Sequence, residues 1–517
     1  MLDSLNLHPL IIEEGSSDLP PELQGIRELG VPIGSCEFVR QFLLHKTQNI
    51  IELMLKVEAM VRNEEEEGNL EGCDRGQASA SWAQVARETM QPGKQVALLL
   101  FRYLYTSRFT FLSRTCLPDQ LHEACNLLES ASKSIFERIF CLPSLSPSAW
   151  SQASLPIRMG GLGLIPPVQT SCNGFSASII RFFHHNISKI LPHFDFDVFW
   201  YSSSYLVHSV SSAFKYADAF LASIPASSEV AIKTMGDVVQ HHLAAWSNKN
   251  RSDELLQSLD VKGKVRTSSE SGKGAAAFLI AIPSTSDLLI PSYLFPIVIC
   301  NYLGVAFPYV LPQYCVCENA IDRHGEHLSL CPHRAAQRSH DNVVACIKDL
   351  AHQSGHGCSG ASSLLHFNPD SNVVADLRIN SSIPSKPDTV IDVHIRNSCA
   401  PSSFDAHNNP LPIAMYAEHS KEAKHAAYLR AAHCSFVPFV MDRFGTLAPK
   451  AISLYASLVK QVPLDCFEAD NWAARTPLQY WPQRLSVTLV ASEAKEEFNL
   501  WYRASMRELG CVNTAWY

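Results

Sequence analysis

The chain has 517 residues, of which 46% are hydrophobic and 18% charged, and its formal net charge is -8. The length is too great for one ordinary core and implies roughly two to four domains of globular composition. An acidic balance of this size excludes a chain that is basic throughout, the usual electrostatic signature of a nucleic-acid binder.

The charge is unevenly spread. Residues 1–74 hold 5 Lys/Arg and 15 Asp/Glu, a local balance of -10, so the rest of the chain sums to +2 (-8 minus -10). Residues 87–189 hold 10 Lys/Arg against 5 Asp/Glu, enough for a modest basic face with Arg102, Arg108 and Arg114 as candidate nucleic-acid contacts. The stretch MLDSLNLHPLIIEEG lacks a basic region followed by an apolar one, so it does not read as a secretory signal. Sixteen cysteines are scattered, and only Cys315, Cys317 and Cys331 cluster. That pattern suits reduced thiols in the nucleus or cytoplasm better than a disulfide framework.

In chain order, residues 20–62 read as a loop or strand, GIRELGVPIGS, followed by a helix. On that helix Phe38, Phe42, Ile50, Leu53 and Val57 recur at helical spacing. Glu64–Glu67 with Gly68, Gly72 and Gly76 predict an acidic linker. A second helical block begins near Trp82 and runs through QVALLLFRYLYTSRFTFLSR, and a third is LHEACNLLESASKSIFERIFCL. SLPIRMGGLGLIPPVQT is a Gly/Pro-rich turn, and 175–258 reads as mostly helical. KGKVRTSSESGKGAAA, within 259–286, predicts a linker or loop crossing. From Leu288 to Cys317 there is no charge, and the run is long enough to span a bilayer. Pro291, Pro296, Pro308 and Pro312 interrupt it and no Lys/Arg flank orients it, so a buried helix is expected and a membrane span is not. The tail from 468 is helical near SEAKEEFNLWYRASM.

The chemistry concentrates between Cys315 and Tyr428. CVCENAIDRHGEHLSLC offers Cys315, Cys317, His327 and Cys331, four soft ligands of the kind that hold zinc in a tetrahedron. His324 and His333 are alternative imidazoles, and buried cysteines beside surface histidines are the competing reading. A closed four-ligand set would be structural.

Two β-patterned runs follow. In NVVADLRI, Val373, Ala375, Leu377 and Ile379 fall on one face, with Val374, Asp376 and Arg378 on the other. In TVIDVHI, Thr389, Ile391, Val393 and Ile395 fall on one face, with Val390, Asp392 and His394 on the other. The nine residues NSSIPSKPD between them are turn-rich, and Asp388 reads as a turn residue. A hairpin would bring Asp376 and Asp392 together, and a divalent cation, Mg or Mn, would relieve their repulsion. Such an ion supports in-line phosphodiester hydrolysis, and a nearby lysine would neutralise phosphate charge or orient water. Lys421, Lys424 and Tyr428 share a helix face in EHSKEAKHAAYL. The competing reading is a solvated strand face and a solvated helix.

These motifs, in this order, resemble the C-terminal region of non-LTR retrotransposon proteins that carry a restriction-like endonuclease. In that family a Cys/His knuckle follows the reverse-transcriptase domain. A basic-His step comes next, then a PD-(D/E)xK-type core. The resemblance matches CVCENAIDRHGEHLSLC to the knuckle and RSHDN, with Arg338 and His340, to the basic-His step. It implies Asp376 and Asp392 as the nuclease carboxylates, Lys421 or Lys424 as the lysine, and FVPFVMDRFG as the closing strand and turn. Upstream, QVALLLFRYLYTSRFTFLSR and SLPIRMGGLGL resemble the thumb and connector, GIRELGVPIGS the segment after the polymerase active site, and PQRLSVTLV the terminal segment. The chain also departs from the pattern. It has no Tyr/Phe-x-Asp-Asp motif, so it looks like the C-terminal part of such a protein and is not expected to polymerise DNA. Asn368 stands where the family often has a glutamate, Val374-Ala375 where Arg-Pro is usual, and His394 at the short-spaced lysine position.

The expected fold is α+β and multidomain, a helical thumb-like region followed by a zinc knuckle and a small PD-(D/E)xK-type core. The expected segments are 1–74 (acidic, with the first helix), 80–258 (helical), 259–312 (linker and apolar helix), 313–340 (knuckle), 341–460 (nuclease core) and 461–517 (helical tail). The expected function is a retrotransposon-derived, metal-dependent DNA endonuclease, with structural zinc, catalytic Mg or Mn, His340 assisting, and Arg102, Arg108, Arg114 and Arg338 touching nucleic acid. DNA is the expected partner and RNA a second candidate; no membrane is expected. The alternative is an inactive remnant that binds nucleic acid or has no function.

Overall fold

A computed structural model of the chain describes residues 20–68, 93–190, 192–193, 205–224, 235–360, 375–381, 387–400, 415–424, 434–464 and 473–510. Helices predominate beside a two-stranded and a four-stranded sheet, so the chain is α+β. It divides into two units. One comprises Met1–Ala59, Leu100–Phe136 and Gly163–Glu254; the other comprises Met60–Leu99, Glu137–Leu162 and Leu255–Tyr517.

The first unit contains an antiparallel hairpin of β1 (Gly25–Glu28) and β2 (Val31–Gly34). Its two-residue turn, Leu29 and Gly30, has positive φ at both positions (49° and 87°), the geometry that matches the twist of paired strands. Ser35 then accepts the Phe38 N–H at 3.0 Å and starts the helix Cys36–Gly68. Its fully buried stripe is Val39, Leu43, Ile50, Met54, Val57 and Val61, whereas Phe38, Phe42 and Leu53 are only half-buried. Later helices in this unit include Pro167–Arg181, Tyr205–Ala222 and Gln240–Ser258. They share a small core of Ala177, Ile180, Ala217, Phe220, Val238 and Leu243.

The second unit carries the sites. The uncharged run forms a buried helix of nine residues, Phe295–Leu303, ended by Gly304 in the left-handed conformation. Among the described residues no helix is long and apolar enough to cross a membrane. After the Cys/His segment comes the helix Ala336–Gln353, then a sheet ordered β3 (Cys358–Gly360), β4 (Leu377–Ile379), β5 (Thr389–Arg396) and β6 (Ser435–Asp442). β3, β4 and β5 pair antiparallel, and β6 runs parallel to β5. A parallel partner needs a crossover, and the helix 415–424 lies within it. Pro438 lies in β6, a sheet edge among the described residues, where a missing N–H is tolerated. The helices Pro449–Gln461 and Pro477–Glu508 complete the unit. Leu377, Ile379, Ile391, Val393, Phe439 and Met441 pack with Val343, Ile347, Leu350, Leu458, Trp481 and Leu485 in one core.

Several expectations are corrected. The helix Cys36–Gly68 runs through Glu64–Glu67, where a linker is expected; glutamate is a good helix former, and Gly72 and Gly76 lie outside the described residues. The run expected as a linker within 259–286 contains the helix Val261–Glu270, capped by the Asp260 side chain. Its buried residues include Arg266, Thr267, Ser269 and Glu270, so it has little apolar periodicity to read. The helical block expected through TSRFTFLSR is broken into Gly93–Arg102, a π-helical turn Tyr103–Ser107 and Thr110–Thr115. The strand expected over NVVADLRI is confined to Leu377–Ile379, with Val373 and Val374 outside the described residues. Ala375 packs with Val390 and not on the Leu377 face. The Gly/Pro-rich turn forms as read: a Cβ on Gly161 would fall 2.1 Å from the Leu155 carbonyl oxygen, so only glycine fits there.

Candidate functional site

The Cys/His segment is built by a tight turn and a short helix. Tyr314 bridges Ala320, the Cys315 N–H donates to the Asn319 carbonyl at 2.9 Å, and Glu318 takes a positive φ of 69° to close the turn. Cys315 and Cys317 are presented on it. The Asp322 carboxylate then accepts the N–H groups of His324, Glu326 and His327 at 2.9, 3.2 and 2.9 Å. It thereby caps the helix Glu326–Leu330, which carries His327 and ends at Cys331. Ligand atoms of Cys315, Cys317, His327 and Cys331 all lie within 4.8 Å of one another. The Cys315 and Cys331 sulfurs are 3.6 Å apart, and the Cys317 sulfur is 3.1 Å from His327 Nε2. Of the three imidazoles left open by the sequence, His327 joins this set; His324 is half-buried and takes the Arg323 Nε–H at 3.0 Å. Burial works against the Cys317 thiolate, but hydrogen bonds from the Asn319 amide, Cys331, His327 and Cys315 bring this thiol down to about 6. Burial pushes Cys331 up to about 12. Three thiols and one imidazole in this arrangement could hold a metal such as zinc.

The second cluster lies on the sheet. β4 and β5 pair Leu377 with Ile391 at the end of their ladder; Asp376 is the residue before β4, and Asp392 is the residue after Ile391. The Asp376 N–H donates to the Ile391 carbonyl at 3.0 Å, and its Oδ2 accepts the Val393 N–H at 2.6 Å. His340, on the helix Ala336–Gln353, brings Nε2 to 3.2 Å from Asp376 Oδ2. This bond raises His340 to about 9 against the burial that opposes it, with Asp341 adding to the effect. Asp392 is 5% exposed, and Lys421 Nζ on the helix 415–424 stands 2.7 Å from its Oδ2. His394, half-buried beside Lys421, Arg396 and Asp392, is held below the ordinary imidazole value, chiefly by burial. Each of the two carboxylates therefore meets a cationic partner. Among the described residues, the Cys/His set is the one group of three or more metal-capable side chains gathered within reach of a single ion.

The remaining expected residues are distributed as follows. Lys424 is exposed, three residues beyond Lys421 on the same helix, and Tyr428 lies outside the described residues. Asp388 accepts Arg378 Nε and Nη2 at 2.8 and 2.6 Å and the Ser381 N–H at 2.8 Å, which makes it the lock of the turn between β4 and β5. Arg338 is largely exposed, 3.7 Å from Glu496. Arg102 is half-buried; Arg108 lies over the Tyr103 ring at 5.9 Å; Arg114 donates to Gln240 at 2.8 Å. Asn368 lies outside the described residues.

No protein-family model matches the chain, and no curated protein matches it.

Sequence reasoning missed the buried charges that brace both clusters. Glu493 and Glu497, on the helix Pro477–Glu508, pair with Arg334 and Arg443. Arg334 follows Cys331 by three residues and also donates to the Ser329 carbonyl at 3.1 Å. Arg443 follows β6, and its N–H donates to the Arg396 carbonyl at the end of β5 at 2.8 Å. Asn301 of the buried apolar helix adds a 2.8 Å bond to Glu497. The signal in the sequence was SEAKEEF, whose Glu493 and Glu497 are one helical turn apart. Without the partners, that spacing reads as a solvated face.

Proposed function

We propose that the chain is a metal-dependent endonuclease of the restriction-like type, related to those of non-LTR retrotransposons, with Asp376, Asp392 and Lys421 at its centre. One juxtaposition carries the reading. Asp376, the residue before β4, and Asp392, in its antiparallel neighbour β5, flank the last pair of that ladder, and a lysine from the crossover helix reaches the second of them. The order helix, three antiparallel strands, helix, parallel strand agrees with a PD-(D/E)xK-type core. Three thiols and an imidazole ahead of it agree with a structural zinc knuckle.

Asp376 and Asp392 are hard oxygen donors of the kind Mg²⁺ or Mn²⁺ takes. When bound, such an ion supplies charge neutralisation at the phosphate and an acidified water. The protein groups do the rest. Lys421 stands where it can stabilise the negative charge that builds on a phosphodiester during hydrolysis. Val393 N–H and His340 Nε2 both meet the Asp376 carboxylate at Oδ2 and fix its orientation. Asp392→Asn removes one metal carboxylate while keeping its shape. Metal-dependent nicking of supercoiled DNA should then fall by about a hundredfold or more, the scale seen when a preorganised electrostatic group is lost. Undiminished nicking by this variant would remove the assignment.

A second reading is an inactive remnant that binds nucleic acid. What favours it is that His340 and Lys421 already neutralise the two carboxylates within the chain. It predicts salt-sensitive binding without cleavage. Charge reversal at Arg102, Arg108 and Arg114 should weaken that binding, measured by fluorescence anisotropy at two salt concentrations; equal affinity would count against it.

A further inference from the structure

Among the described residues, the helix 415–424 that carries Lys421 has little apolar anchorage. Its buried contribution to a core is Ala417, packed with Val440 of β6 and Ala448. A contact of three small or medium side chains fixes a helix poorly. Glu418 is 3% exposed, and its carboxylate accepts the Lys450 N–H at 3.0 Å through Oε1 and also meets the Ala451 N–H. Those two N–H groups belong to the first turn of the helix Pro449–Gln461. That helix needs an outside acceptor, because its own N-cap is Ala448, which has no side-chain oxygen. One turn on, Glu422 forms an ion pair with Lys450 Nζ. Glu418 and Glu422 thus pin one side of the helix 415–424, and Lys421, three residues after Glu418, reaches Asp392.

We infer that Glu418 is the positioning residue of this site: by capping the helix Pro449–Gln461 from outside, it fixes the crossover helix so that the Lys421 ammonium meets Asp392. The catalytic meaning of this contact rests on the nuclease reading above; the contact itself does not.

Amine labelling of the full-length, folded protein separates the two. The probe is a limiting acetylating reagent, read at each lysine by peptide mass spectrometry, with exposed Lys424 as the internal reference. In the wild type Lys421 should react more slowly than Lys424. In Glu418→Ala the Lys421 rate relative to Lys424 should rise by about tenfold, the scale of losing one hydrogen bond to a charged group. Glu418→Gln keeps an acceptor oxygen for the two N–H groups and should restore protection. Equal Lys421 protection in wild type and Glu418→Ala overturns the inference. If Glu418→Ala loses amide protection across β5 and β6, Glu418→Asp takes its place, because its shorter arm cannot satisfy both N–H groups. Deprotection in folded Glu418→Asp supports the inference, and wild-type protection overturns it. Where the wild type nicks DNA, Glu418→Ala should add no loss to Lys421→Ala, since the two act through one group; an additive loss overturns the positioning role. Where it does not nick, the nuclease reading fails and the labelling contrast still decides the role of Glu418.

Discussion

At neutral pH His340 carries a second proton, because the Asp376 carboxylate beside it raises its pKa to about 9 from an ordinary imidazole value near 6.5. The folded state therefore binds more protons at this residue than the unfolded state between about 6.5 and 9. The stabilisation from the pair is fully present below about 6.5 and is lost as pH rises through about 9. In metal-free protein the His340 ring signal should titrate near 9 in an NMR series. Asp376→Asn should move it back toward the ordinary value. An unperturbed His340 midpoint in the wild type would refute the pairing. At this scale the sequence was informative about identity and silent about selection. It offered three imidazoles to the Cys/His set and two lysines to the aspartates. Tertiary geometry picked His327 and Lys421.

The elements follow the alternation of side chains wherever one face is apolar. Ile391 and Val393 reach the large core, as their spacing predicts. The opposite face of β5 is covered too, with Val390 and Asp392 buried, so Asp392 is not on a solvated surface. Nothing in TVIDVHI announces that cover, since it comes from Ala375 and Phe436 against Val390 and from Lys421 of the crossover helix against Asp392. The helix Val261–Glu270 was hidden for a related reason. Its inward face is Arg266, Thr267, Ser269 and Glu270, and Arg266 and Ser269 meet partners, Gln152 and Asp442, that no local pattern reveals. The charged brace on the helix Pro477–Glu508 is of the same kind. Its Arg334–Glu493 pair joins residues 159 apart in sequence. Both side chains are almost fully buried, so breaking the pair leaves an uncompensated charge. Glu493→Ala should cost about 3–5 kcal/mol in urea unfolding, and replacing Arg334 and Glu493 together by Met and Leu should cost less. Equal destabilisation by the single and double replacements would contradict the view that an orphaned charge is the source.

For the whole molecule, the metal-capable Cys/His set and the sheet belong to one unit, and the helix Pro477–Glu508 touches both. Arg507 and Arg503 of that helix donate to the Val316 and His333 carbonyls, and Trp501 Nε1 donates to Val310 at 2.8 Å. Metal held by the four ligands should therefore stabilise more than a local loop, because ligand binding to the folded state alone shifts the unfolding equilibrium. Purified protein should contain one zinc per chain by elemental analysis. Chelation should lower the midpoint of the cooperative unfolding transition, and Cys331→Ser should do so without chelator. A midpoint indifferent to both would mean that the four side chains hold nothing of structural consequence. The spacing of these ligands was legible in the sequence; their brace was not, because it joins residues more than 150 positions apart.

The most direct measurement is nicking of supercoiled plasmid by the folded, zinc-loaded chain with Mg²⁺ or Mn²⁺, beside Asp392→Asn. Metal-dependent nicking by the wild type and none by the variant is the expected result. No nicking by either, from protein shown to be folded and metal-loaded, would contradict an endonuclease centred on Asp376, Asp392 and Lys421.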